Sequence, residues 1–241
     1  MEIKLLEHLG SDYTILRAAR VSTGNDASKG DKKDRGLIRY LYRNEHLSPF
    51  EMTDLIWYVK CPIFVARQFF RHRTFSFNEV SGRYKKFEWE TFSPNAWRKQ
   101  DTENRQGSFN ELDSEDTRKD CDNFIEETYS LAEKNYNSLL DSGVAREQAR
   151  MIMPVGHYTE FYVKTDLRNL FHFLELRTDS HAQKEIQDVA NEMLRQLKEL
   201  NDFKWSVEIF EEMRALKETF KKLCDNYKSD LYFLNEKLEE M

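Results

Sequence analysis

Residues 71 to 84 read Arg-His-Arg-Thr-Phe-Ser-Phe-Asn-Glu-Val-Ser-Gly-Arg-Tyr, and no other stretch restricts the possible structure so tightly. A solvated run of charge would lack Phe75, Phe77, Val80 and Tyr84, which alternate with the polar groups and pin the segment to a packed surface. Arg71, His72, Arg73 and Arg83 outnumber the one carboxylate, Glu79, so the segment carries a positive excess. Planar guanidinium forks match phosphate oxygens bidentately, and serine hydroxyls with glycine-adjacent amides add short hydrogen bonds. The stretch implies a pocket for a phosphate-bearing ligand.

Whether that ligand is a polymer or a small molecule is answered by the rest of the chain. The formal net charge is −6 over 241 residues, so the dominant basic field that non-specific nucleic-acid or anionic-membrane binding needs is missing. Arginines nonetheless concentrate between residues 67 and 83 and between 146 and 177. An acidic body with local basic pockets suits a small anion. A hydrophobic content of 39% with 13% aromatic residues supports a globular fold with a sizeable core. Cys61, Cys121 and Cys224 are odd in number and widely spaced, which implies neither a disulfide framework nor a zinc site. No stretch approaches the roughly 18 apolar residues of a membrane span, and the start lacks a secretory pattern. The expectation is a soluble, cytoplasmic protein.

Periodicity predicts a mixed α/β chain. Ile3 to Leu6 opens as a strand, and Asp54 to Lys60 alternates with Leu55, Trp57 and Val59 on one face. Helices are predicted over 12–20 and 34–43, with a polar loop over 22–32. Pro62 suits the first turn of a helix running to about His72, which would put Gln68 on one face with Arg71 and His72. The remainder of the 71–84 stretch then continues as an extended loop. A strand near 85–91 and a mobile surface insertion over 93–115 are predicted next. A long amphipathic helix through Cys121 and Leu139 ends at Gly143, and a short one carrying Arg146 and Arg150 stops at Pro154.

His157 to Thr165 reads as a strand, and 167–178 and 182–200 as helices. In the first of these helices Leu167, Leu170, Phe171 and Leu174 face inward, while Arg168 and His172 share the polar face. Further on, Met213, Leu216, Phe220, Leu223, Tyr227, Leu231, Leu234 and Leu238 recur at steps of three and four. No linker divides the chain. The reading is one α/β domain over 1–210 with a helical C-terminal extension over 211–241.

The pattern R-H-R-x-x-S-x-N-E-x-S-x-R-Y resembles the signature of the flavin-dependent thymidylate synthases, and every fixed position of it stands here. The stretches Arg17 to Ser22, His46 to Glu51, Pro62 to Gln68 and Leu176 to Gln183 resemble the family as well. The resemblance implies that family's α/β fold, a homotetramer with active sites shared between subunits, and reductive methylation of dUMP to dTMP. Methylenetetrahydrofolate would supply the carbon, and FAD reduced by NADPH the hydride. No metal and no covalent enzyme nucleophile are implied.

Carried over residue by residue, Arg71, His72 and Arg73 contact the flavin, and Arg71 also approaches the nucleotide. Glu79 lies beside both. Ser48, usually Thr in the family, reaches the flavin of a neighbouring subunit; Asp166, commonly Asn, binds FAD with Leu167, Arg168 and His172. Gln68, Phe69, Phe70, Val80, Ser81, Gly82, Arg83 and Arg150 bind the nucleotide. Arg177 faces the uracil imide, where a fixed cation stabilises the ionised ring, and is the expected principal catalytic group.

Plainer readings stand beside these. A basic cluster at a helix end would by itself favour the helix dipole. Glu79 serves equally as an orienter of arginines or as a direct ligand contact, and Asp166 suits a ribose or adenine donor. Ser81 lacks the strand-turn-helix setting of a nucleophile elbow and a dedicated base, so phosphate binding is its better role. Cys61 reads as a buried small hydrophobe. The rival function is a single-stranded nucleic-acid-binding module, with Arg67, Phe69, Phe70, Arg71, His72, Arg73, Phe75 and Phe77 as an interleaved stacking surface. The acidic total and the lack of an RNP, KH or zinc pattern count against it.

Overall fold

The computed structural model describes residues 1–21, 24, 28–102 and 105–239, with side chains as far as Cys224 and at Tyr227. Residues 22, 23 and 25–27 of the expected loop lie outside that description, as do the side chains of Leu231, Leu234 and Leu238 of the expected tail stripe. The chain divides into two compact units: Met1–Leu9 with Asp54–Gln196, and Gly10–Thr53 with Leu197–Met241.

The first unit is built on an antiparallel sheet of β1 (Glu2–Leu9), β2 (Asp54–Pro62), β3 (Ser76–Glu79) and β6 (Tyr158–Thr165), in the order β1-β2-β6-β3. Alternation makes β2 a one-faced strand: Leu55, Trp57, Val59 and Cys61 are buried, and the residues between them half-exposed. Phe161, Val163 and Thr165 do the same in β6. The register sets Trp57 opposite Val163 and Val59 opposite Phe161, so the buried side chains share one face. This unit's α-helices are α3 (Ile63–Phe69), α4 (Glu115–Asp141), α5 (Arg146–Ala149), α6 (Leu167–Arg177) and most of α7 (Lys184–Glu199). The inward set expected of α6 is buried, together with Phe173. Phe69 stacks on Phe173 at 4.7 Å and meets Phe161 edge-on at 5.5 Å, with Phe75 and Phe77 closing the cluster. Each ring sealed there contributes on the order of 2 kcal/mol or more.

Three local expectations need correction. α3 stops at Phe69, because the chain must reverse to bury Phe75 and Phe77 against Phe69; amides of His72 and Phe75 bond the carbonyls of Phe69 and His72 in consecutive tight turns. Gln68 therefore lies on the helix while Arg71 and His72 lie beyond its end, and residues 76–79 form a strand on β6 rather than a loop. No strand forms at 85–91; only Thr91 makes a bridge, to His157. The 93–115 region is not simply a surface insertion. It folds as a hairpin of β4 (Arg98–Gln100) and β5 (Ser108–Glu111), anchored to the start of α7 where Arg98 Nη2 donates to the buried Glu185 Oε1 at 2.7 Å.

The second unit is helical: α1 (Asp12–Arg20), α2 (Asp31–Arg43), a 3₁₀ turn over Ser48–Met52 and α8 (Lys204–Glu239). Buried Asp12 caps α8, accepting from the amides of Trp205 (2.7 Å) and Ser206 (3.1 Å) and the Ser206 hydroxyl (2.6 Å). Arg20 and Asp34 form a buried ion pair between α1 and α2, and Arg39 pairs with Glu212 of α8. Past that point Leu216, Phe220, Leu223 and Tyr227 stand exposed along α8. Among the described residues no helix is long and apolar enough to cross a membrane.

Candidate active site

Arg177 ends α6 and His72 sits in the turn after α3, where Arg177 Nε donates to His72 Nε2 at 3.0 Å. Burial, then the Arg177 charge and His172, push His72 down from 6.5 to about 4. The ring is therefore neutral at pH 7, and with Nε2 accepting, its proton sits on Nδ1. Phe173 holds the imidazole edge-on at 4.9 Å. Burial and the nearby Arg71 charge also lower Arg177, although its guanidinium stays charged at neutral pH. His172, exposed on α6, has its ring 6.4 Å from that of His72, and Arg168 lies one turn earlier on the same exposed face. Two repelling arginines beside a neutral histidine make a positive basin that favours an anion.

The later half of the signature is looser. Glu79 accepts from the Thr159 hydroxyl of β6 at 2.7 Å, a partner that sequence reasoning did not anticipate. Ser81 Oγ accepts the Arg83 amide at 3.3 Å. Gly82 is buried beneath Phe87, and a Cβ there would lie 2.1 Å from the ring, so any larger residue must displace it. Arg83 and Tyr84 are exposed; Arg146 donates to the Tyr84 carbonyl at 3.2 Å, and Arg83 lies 3.5 Å from Glu147. With Lys86 and Asp141 these residues line a cleft of about 620 Å³ in which three cations stand beside two carboxylates. Val80, with Asn78 and Glu79, borders a second hollow of about 250 Å³. Arg150, past α5 in a 3₁₀ turn over Arg150–Ile152, is exposed.

Other expected site residues land less directly. Phe69 is sealed in the core and Phe70 half-buried against Phe77, so Phe69 has only its main chain to offer a ligand. Phe75 is buried too, which removes the stacking platform that the nucleic-acid reading requires. Leu167 is buried, and Asp166 is the N-cap of α6, accepting from the Asn169 amide at 2.8 Å and its side-chain nitrogen at 2.6 Å. Asp and Asn cap helices about equally well, so the capping role is open to either residue, while a carboxylate beside an anionic cofactor is a real departure from the family's Asn. Ser48 belongs to the second unit, exposed at the first residue of its 3₁₀ turn. Burial pushes the Cys61 thiol up to about 12, leaving no thiolate at neutral pH.

Two residues not singled out by sequence reasoning matter here. Gln68 donates its side-chain amide to Gln183, a residue of the 176–183 stretch to which the sequence assigned no role. His157 lies buried between Phe87 and Trp89, at 5.3 and 5.1 Å, and among the described residues neither ring nitrogen finds a hydrogen-bond partner. Burial pushes it down to about 4. A lone histidine after Gly156 carried no periodic signal that could have marked it.

The antiparallel sheet and its helices, with an arginine-histidine cluster at the head of the signature, define a mixed α/β protein with a positively charged site. A family model described as thymidylate synthase complementing protein matches residues 4–201. The chain is 46% identical over 210 residues to a flavin-dependent thymidylate synthase of Thermus thermophilus, covering 87% of this chain and 75% of that one. It is 48% identical over 185 residues to the enzyme of that name from Dictyostelium discoideum, covering 75% and 59%. Among solved structures, a UMP/dUMP methylase, PolB, from Streptomyces cacaoi bound with 5-Br dUMP superimposes with a TM-score of 0.80 at 35% identity, covering 88% and 94%. The chain belongs to the flavin-dependent thymidylate synthase family.

Proposed function

We propose that this chain carries out the reductive methylation of dUMP to dTMP, with FAD as cofactor, NADPH as reductant and methylenetetrahydrofolate as one-carbon donor. The observation that carries this reading is the Arg177–His72 hydrogen bond beside Arg71, at the head of a complete family signature. Arg71, Arg73 and Arg168, with His72 and His172, are a donor set that fits a pyrophosphate, and Asp166 is engaged in capping α6 rather than opposing it. When bound, the flavin supplies the hydride.

The chain's own residues bind and orient. Arg177, its Nε anchored on neutral His72, turns its terminal nitrogens to the uracil imide and stabilises negative charge on the ring. Glu79, held by Thr159, lies beside both flavin and nucleotide. Gln68, the main chain at Phe69 and Phe70, Val80, Ser81, Gly82, Arg83 and Arg150 hold the nucleotide, with Ser81 binding phosphate rather than attacking carbon. Leu167 meets the flavin through its main chain, and Ser48 reaches the flavin of a neighbouring subunit in a homotetramer. Residues 1–210 form the synthase domain, 211–241 the extension, and the enzyme works in the cytoplasm.

Anaerobic incubation of the purified protein with dUMP, methylenetetrahydrofolate and NADPH tests the reading. Because the reductant supplies the hydride, the folate should leave as tetrahydrofolate, one per dTMP. Dihydrofolate as the product would overturn it. Arg73→Ala should lose the visible flavin bands at unchanged far-UV circular dichroism.

A further inference from the structure

We infer that Gln183 and Glu185, backed by Arg98, are positioning residues that set which way the Gln68 amide points; this rests on the proposed nucleotide contact of Gln68. The chain of bonds starts at an anion. Glu185, 5% exposed, accepts from Arg98 Nη2 at 2.7 Å through one oxygen and from Gln183 Nε2 at 2.8 Å through the other. Burial alone would raise its carboxyl, but hydrogen bonds from Arg98, its own amide and Gln183 hold it below the usual carboxylate range. It is thus ionised and can only accept.

Polarity follows from that. Gln183 must turn its NH2 group to Glu185, which turns its Oε1 to Gln68. Gln68 must then give its NH2 group to Gln183 and point its own Oε1 away. A neutral amide pair could flip at little cost; one fixed charge at the end decides both. Arg98 is in turn held by β5, its Nε donating to Ser108 Oγ at 2.9 Å, so the 98–111 hairpin has a reason to be docked on α7. Gln68 presents a carbonyl acceptor, suited to a donor group of the nucleotide, a ring N–H or a sugar hydroxyl.

The test is a coupling cycle on the full-length, flavin-loaded enzyme, with dUMP as the probe. Glu185→Gln should weaken dUMP affinity about tenfold, with kcat at saturation and flavin content held within about twofold. In a Gln68→Ala background the same substitution should cost nothing further. Gln183→Met breaks the chain while leaving the Arg98–Glu185 pair in place, and should show the same pattern if Glu185→Gln disturbs folding. Unchanged dUMP affinity in these variants, or a full loss that persists without Gln68, overturns the inference alone. Wild-type enzyme that binds no dUMP overturns the functional reading and this inference with it.

Discussion

At the head of the signature, His72 and Phe75 are packed against Phe173 within an aromatic cluster, whereas Arg83 and Tyr84 lie at the surface, Tyr84 80% exposed. The head is tied to the core by several rings and a hydrogen bond to Arg177. Further along, the loop is held by the close approach of Gly82 to Phe87 and by hydrogen bonds to Ser81 and from Arg146, and Phe87 meets His157 edge-on. Charge in the head is therefore pre-organised by the fold itself. Charge in the later half is aimed by the packing of a single loop, so substitutions should separate the two.

The largest effect is expected in the aromatic cluster on which the head packs. Phe69→Ala removes a sealed ring and should destabilise the protein by about 3–5 kcal/mol in urea denaturation, while Tyr84→Ala should stay within about 0.5 kcal/mol. Equal losses would erase the distinction. Next comes Gly82→Ala, whose new Cβ must displace the Phe87 ring. At a strain of about 1–3 kcal/mol, dUMP affinity should fall roughly 10- to 100-fold while flavin occupancy is kept. Parallel loss of flavin would show that the two halves are coupled.

Acid sharpens the comparison, since each half leans on a buried neutral histidine, His72 in one and His157 in the other. Both fold with values near 4, below the ordinary 6.5, so between those limits the unfolded chain takes up protons that the folded chain refuses. Stability is fully present above about pH 6.5 and falls as pH drops toward 4. His157→Leu should flatten that slope in denaturation curves recorded between neutral and about pH 5. A slope as steep as wild type would show that His157 is not held neutral. The smallest effect is expected at Ser81, where Ala should weaken dUMP binding by about fivefold and leave turnover at saturation measurable. A covalent Ser81–nucleotide adduct in mass spectra would reverse its assigned role.

Much of the fold was legible because local patterns carry it. The alternation Leu55, Trp57, Val59 and the spacing Leu167, Leu170, Phe171, Leu174 are read from neighbours a few residues apart, and both faces are buried as expected. The end of α3 was misread because Gln68 to His72 keeps helical composition. What stops the helix is the need to bring Phe75 and Phe77 back onto Phe69, a contact no local window contains. The hairpin at 98–111 was missed for the same reason: its polar sequence looks solvated until Arg98 meets the buried Glu185.

By itself the sequence determined the residue chemistry of the site: arginine forks, serine and glycine at one loop, and no cysteine within it. Those choices are dictated by ligand charge, so composition and spacing reveal them. Only the tertiary structure decided that Arg177 meets His72, that Glu79 takes the Thr159 hydroxyl, and that Gln68 answers to Glu185 through Gln183. Each of these joins residues from distant parts of the chain. Their protonation and polarity depend on burial and on which partner burial supplies, and those become defined only once the sheet and helices have packed.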